Sequence, residues 1–434
     1  MNRKKICILG AGLSGLSAGW HLRRKGIVSR VFEKEQSPGG LCRSKLIGGF
    51  SFDYDGHLLH FKHPYAQQLI SRELSIPLVS HERNAWVYTH GVFSKYPFQA
   101  NLYGLPPEIA EECLLGFIQA SKRKPAREHA RMNFKDWIHL TMGPGIARHF
   151  MEPYNKKFWT VDPRTMTCEW LDAFIPVPSL QELIEGTLQE SPRRFGYNAT
   201  FWYPRSGSIQ QIPEAFARGL DIGTSSEVTS IDPDKKEITL ASGERHGYDT
   251  VISTLALPEL SVLIKGIPRG LKKHFSDLNW NSVLNINLGV DKTNSGGKHW
   301  VYFPEKKISF FRVGFPHNFS RSSAPKGKHS LYAEISYPRG KPWDKESAVK
   351  RVILDLKAVG ILESGCRVHV QDVNYIKYGY TIYDNDYRAA LSEINTYCAS
   401  KNIILCGRYG SWRYFSMEDS ILDGKRAADC AEHC

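Results

Sequence analysis

"GAGLSGLSAGWHLRRKGIVSRVFEKEQSPGG" runs from Gly10 to Gly40, directly after the apolar run at residues 5–9. Glycines at 10, 12 and 15 have GxGxxG spacing, followed by a helical pattern through Leu16, Trp20 and Leu22. Strand, turn, helix is the order that a dinucleotide site requires. Gly10 permits the tight turn. Gly12 lets backbone amides approach a pyrophosphate at the helix N-terminus, beside Ser14, and Gly15 lets helix and strand pack closely. A second strand, Ser29–Phe32, ends at Glu33, a carboxylate placed to accept hydrogen bonds from an adenosine ribose.

FAD, rather than NAD, follows from what comes after. "EQSPGGLCR" at 35–43 puts Gly39, Gly40 and Leu41 just beyond the ribose carboxylate, a placement common in flavoproteins built from two dinucleotide-type units. The stretch 225–258 reads as strand, hairpin at 232–235, second strand and a buried run, with the backbone of Val228 expected against adenine. In 402–431, a strand at 403–406 ends at Gly407, and a helix from Ser420, preceded by Asp419, is expected to face the flavin pyrimidine ring.

Composition narrows the class. Among 434 residues, 57 Lys and Arg against 44 Asp and Glu leave +13, which favours an anionic partner such as a phosphate-bearing ligand. The densest basic cluster, residues 122–127, is short and reads as a solvated helix end, so no nucleic-acid partner is expected. Nine cysteines without a CxxC pair indicate neither a disulfide framework nor a zinc site. No apolar run reaches the roughly 20 residues of a membrane span, and the glycine-threaded N-terminus is unlike a cleaved signal. A cytoplasmic protein is expected. His57, His60 and His63 recur every three residues, but no acidic or cysteine partner with ligand spacing lies nearby, so no metal is assigned.

The middle of the chain carries the family signal. "DYDGHLLHF" at 53–61, "YPFQANL" at 96–102, the long string at 134–171, "NATFWYP" at 198–204, "WVYFPEKKISFFR" at 300–312, "YGYTIYD" at 378–384 and "GRYGSWRY" at 407–414 stand in order. Together they resemble UDP-galactopyranose mutase, more closely its eukaryotic-type branch, over nearly the whole chain. The resemblance implies an enzyme that contracts the pyranose ring of a UDP-sugar to a furanose with no net redox change, using reduced FAD whose N5 attacks the anomeric carbon. It also implies the site. Tyr96, Phe98, Gln99, Phe150, Asn155 and Trp159 match a uridine pocket, although the five-and-four spacing of the last three would by itself read as a buried helix face. Asn198 belongs to a flap over the nucleotide. Trp300, Tyr302, Arg312, Tyr380 and Tyr414 match positions beside sugar and diphosphate, Arg408 lies near the flavin edge, and Gly56 and His57 match a loop beside the isoalloxazine. Arg312, Tyr302, Tyr380, Tyr414, His57 and Arg408 are the catalytic candidates.

Two departures keep the substrate open. The family's second diphosphate arginine falls on Phe174 here; Arg193, Arg194 and Arg205 are candidates to compensate. After Tyr414, "FSMEDSIL" is about two residues shorter than the family's string and lacks its histidine. A flavin oxidoreductase of the amine oxidase or protoporphyrinogen oxidase type, and an inactive nucleotide-sugar binder, are the alternatives. The expected architecture is α/β: a doubly wound, Rossmann-like FAD unit from 1–61, 203–255 and 397–434, a helical insert at 100–195, and a mixed or antiparallel substrate sheet from 62–99 and 256–396. The reductant and any homo-oligomer are not specified.

Overall fold

The computed structural model describes residues 4–122, 132–171, 174–190, 195–196 and 198–433. Most of the basic cluster at 122–127, and both Arg193 and Arg194, lie outside the described residues.

Ile6–Leu9 is apolar at every position because both faces of its sheet are covered. It is the middle strand of a five-stranded sheet ordered 403–405, 250–253, 6–9, 29–32 and 221–223, all parallel. These strands come from three distant parts of the chain. The helix Leu13–Arg24 packs on the sheet together with the helix Met417–His433. The latter begins three residues before the expected Ser420. A reciprocal pair explains the early start: the Asp419 carboxylate accepts from the Ser416 N–H at 2.8 Å and hydroxyl at 2.7 Å, while the Ser416 hydroxyl accepts from the Asp419 N–H.

A second, seven-stranded mixed sheet is ordered 368–382, 279–290, 329–338, 312–314, 300–302, 85–89 and 92–95. Its strands alternate with period two, and the alternation sets the site. Leu331, Ala333, Ile335, Val313, Val301, Leu284, Ile286 and Leu288 face a core shared with the helix Lys345–Ala358. Trp300, Tyr302, Arg312, Tyr332 and Glu334 sit at the intervening positions of the same strands. Of the stretch expected in this sheet, Leu78–Glu82 instead pairs with Thr200–Pro204, a strand whose first residues fall outside the expected FAD segment. The helices between 107 and 188 stack on one another over a core of Phe117, Phe134, Ile138 and Met142.

Candidate active site

A cavity of about 940 Å³ runs from the glycine motif to the polar face of the seven-stranded sheet, at the upper end of the roughly 300–1,000 Å³ of small-molecule sites.

At one end it is shaped for a dinucleotide. Gly12 is the N-cap of Leu13–Arg24 and has no side-chain cap; a Cβ there would project into open space. The helix N-terminus is therefore bare toward the cavity, with its amide donors free for an anion. Gly15 lies beneath the wall, where a Cβ would come within 2.0 Å of the Gly10 carbonyl oxygen. Glu33, 7% exposed, has its carboxylate fixed by the Ala11 N–H at 2.7 Å and the Glu35 N–H at 3.0 Å. Gly10, Ser14, Gly39, Gly40, Leu41, Gly56, Val228, Gly407 and Ser420 also line the cavity. Asp419 does not: it caps its own helix.

The far end is aromatic and charged. Arg408 donates to the carbonyls of Phe415 at 3.1 Å and Gly379 at 2.8 Å, with its guanidinium 4.8 Å from the Tyr380 ring and 5.1 Å from the Tyr414 ring. Its buried Nε–H has no protein partner, nor has the indole N–H of Trp300. Such orphaned donors on a cavity wall mark where a ligand acceptor belongs. The bare helix end, the Glu33 carboxylate and the Arg408 Nε–H all fit FAD.

Tyr302, Arg312, Tyr380, Tyr414, Asn198 and His57 converge on the same cavity. Burial holds the His57 imidazole below its ordinary pKa, against the opposing pull of Asp55, and lowers that of His60 to about 4, so both rings are neutral at pH 7. Arg312 stands directly opposite Glu334 in strand register and forks onto its carboxylate, with one contact at 2.6 Å. Phe174 lines the wall, its ring 4.7 Å edge-on from Tyr414 and 5.2 Å from the Lys62 ammonium.

The residues matched to a uridine pocket sit behind this wall: the Tyr96 ring lies 4.8 Å from that of Tyr302, and the Trp159 ring 6.0 Å from that of Tyr380. None of Tyr96, Phe98, Gln99, Phe150, Asn155 and Trp159 is on the cavity wall. Phe98 stacks on Phe150 at 5.0 Å, Phe150 on Tyr154 at 5.2 Å, and Tyr154 on Phe158. Asn155 donates to the Met151 carbonyl and accepts from the Trp159 indole, and Gln99 donates to the Pro176 carbonyl. The buried-helix reading of the spacing describes this arrangement. A π-turn at Ala147–Met151 absorbs one extra residue before the helix Glu152–Trp159, which aligns positions five apart.

Sequence reading missed Asp55, Tyr332, Glu334 and Arg83. Tyr332 and Glu334 were visible as polar positions alternating with Leu331, Ala333 and Ile335. Arg83 carried no signal; it donates to the Asn198 side chain and to the Phe195 carbonyl, and lies 4.8 Å from the Tyr96 ring.

A family model, flavin containing amine oxidoreductase, matches residues 13–431. The chain belongs to that family. This FAD flavoprotein superimposes on a reduced UDP-galactopyranose mutase with a TM-score of 0.93 and 28% identity, over 99% of this chain and 96% of the other. A putrescine oxidase variant aligns at a TM-score of 0.69 over 99% and 100%, but its 14% identity is a likeness of fold alone. Among curated proteins, a zeta-carotene-forming phytoene desaturase of Myxococcus xanthus is 42% identical over 50 residues, which is 12% of this chain and 10% of that protein. A 1-hydroxycarotenoid 3,4-desaturase of Flavobacterium sp. (strain P99-3) is 38% identical over 60 residues, covering 14% and 12%. The flavoprotein thus matches only about a tenth of these desaturases' length. No helix of the described residues is long and apolar enough to cross a membrane.

Proposed function

We propose that this flavoenzyme interconverts the pyranose and furanose forms of a UDP-sugar. The observation that carries the reading is the near-complete superposition on UDP-galactopyranose mutase, joined to the convergence of Trp300, Tyr302, Arg312, Tyr380, Arg408 and Tyr414 on one wall of the cofactor cavity. Reduced FAD, when bound, supplies the electron pair for covalent catalysis at the anomeric carbon. The protein's own part is pose and charge. Gly12 and Glu33 hold the dinucleotide, while Arg312 offers a planar cation to the diphosphate and Tyr302, Tyr380 and Tyr414 donate to oxygens that gain charge as it leaves. Phe98 and Phe150 take a uracil between them only after their stack parts. The units drawn from 1–61, 203–255 and 397–434, from 100–195, and from 62–99 with 256–396 are read as cofactor, nucleotide and sugar parts of one enzyme.

The test is an anaerobic assay of dithionite-reduced and oxidised protein with UDP-galactofuranose, following UDP-galactopyranose by chromatography. Conversion in the reduced sample alone is expected. A yellow, folded protein that converts nothing refutes the galactose reading. Phe174 on the cavity wall favours a second reading, an oxidoreductase of a less charged substrate, for which substrate-driven bleaching of oxidised flavin is the readout.

A further inference from the structure

Asp55 stands out in the backbone. Among the described residues, seven of the eight non-glycine positions with positive φ fall between 50° and 64°, the ordinary left-handed basin; Asp55 alone is at 101°. Strain of that kind persists only where the surroundings impose it.

What surrounds Asp55 is a charge cluster with too many acids. Its side chain is 12% exposed on the cavity wall, and its Oδ1 lies 3.9 Å from the Arg312 guanidinium. Arg312 is already forked onto Glu334, whose side chain is fully buried. Both carboxyls flank the same Arg312 nitrogen: Nη2 lies 2.6 Å from Glu334 Oε1 and 3.9 Å from Asp55 Oδ1, an oxygen that also accepts from the Gly56 N–H at 2.7 Å. Two ionised carboxylates against one guanidinium, all with little exposure, leave one negative charge unpaired, and a single proton on the pair removes it. Burial pushes the Glu334 carboxyl well above the usual carboxylate range, Arg312 pulls it down, and Asp55 pushes it up again.

The remaining neighbours do not cancel the excess charge. Arg408, a further cation lining the cavity, is held by two carbonyls and two tyrosine rings and forms no ion pair with either carboxyl. His57, on the same loop as Asp55, is neutral. Tyr332 and Tyr380 from the sheet, Tyr154 from the insert and Tyr409 and Tyr414 from the C-terminal segment also face the pair, and burial raises the pKa of each, so they stay uncharged.

We propose that Asp55 and Glu334 share one proton, and that this proton lets Arg312 accept an anionic ligand. With the proton, two carboxyls and one guanidinium sum to zero charge. Without it they sum to −1 and repel the anion. The anion's identity rests on the UDP-sugar reading; the proton-sharing pair does not. Asp55 is a positioning residue that acts through Arg312.

The test uses FAD-loaded, oxidised protein. Infrared spectra in D₂O at about pH 8, where Asp53 with its pKa of about 6 is ionised, should show the C=O stretch of a protonated carboxyl. Asp55→Gly and Glu334→Gln should each lose it. Glycine suits the φ of Asp55, so that variant should fold with wild-type flavin content. A wild type without the band, or variants that keep it, overturns the pair. UDP-galactose, whose diphosphate does not titrate near neutrality, is then titrated by calorimetry across the pH range in which the band fades. Wild-type Kd should rise by up to about tenfold per pH unit there, and Asp55→Gly should stay flat. Equal pH slopes in the two proteins overturn the coupling. UDP-galactose that binds neither protein, with the band present, overturns the UDP-sugar reading and leaves the pair standing; sulfate then serves as the anion, and equal pH slopes with it overturn the coupling.

Discussion

Replacing Glu33 with Gln should damage the cofactor cradle and the cofactor's affinity by separable amounts. The carboxylate accepts from two backbone amides, Ala11 at 2.7 Å and Glu35 at 3.0 Å. A carboxamide offers one oxygen and presents an NH₂ to the other amide, so donor faces donor in a site only 7% exposed. One charge-assisted hydrogen bond is lost, worth about 1.5–3 kcal/mol, and one N–H is left unpaired at about 1–3 kcal/mol. The ligand-free protein should therefore lose roughly 2.5–6 kcal/mol of stability. FAD loses one charged acceptor at the ribose, and about 1.5–3 kcal/mol corresponds to a Kd raised roughly 10- to 150-fold. Fluorescence-quench titration of apoprotein with FAD reads the second quantity, and denaturant unfolding of the same apoprotein reads the first. An E33Q protein with a Kd within threefold of wild type would sink the ribose role. Unchanged unfolding of the apoprotein would sink the two-amide lock.

Three other outcomes are expected. Asp53, hydrogen-bonded by Ser44 and Tyr203, has its pKa raised to about 6 by burial; folded protein therefore binds this proton more tightly than the unfolded chain, and stability present below about pH 4 is lost as pH rises through 6. Thermal melts across pH 4 to 7 should show that decline in wild type and a shallower one in Asp53→Asn. Phe98→Ala removes a fully buried ring from its stack on Phe150 and should cost about 3–5 kcal/mol in unfolding experiments without ligand; a loss under 1 kcal/mol would show that the stack is not closed in solution. Arg312→Lys trades a fork for a point charge, which forfeits one of two bonds to Glu334. UDP-galactose binding by calorimetry should weaken at least about tenfold, and an unaltered Kd would remove Arg312 from the ligand's reach.

The sequence by itself determined the cofactor end. GxGxxG, the strand ending at Glu33 and the Gly39–Gly40 pair act through contacts among residues 5–43, where spacing along the chain nearly dictates spacing in space. The ordered strings between 53 and 414 also led to the mutase resemblance, and the structural superposition agrees. Tertiary structure alone decided what those strings build. Phe98 and Phe150 lie far apart in the chain, and whether two such rings flank a ligand or stack on each other depends on how the insert folds, which no local pattern states. Likewise Arg312 meets Glu334 because the strand at 312–314 pairs with 329–338 in one register; a slip of one residue would turn Glu334 into the apolar core. Asp55 joins them only through a backbone conformation, φ of 101°, that residues bearing a side chain rarely adopt. Periodicity shows which side of a strand a residue occupies, but strand register and the close packing of distant segments decide which charges meet.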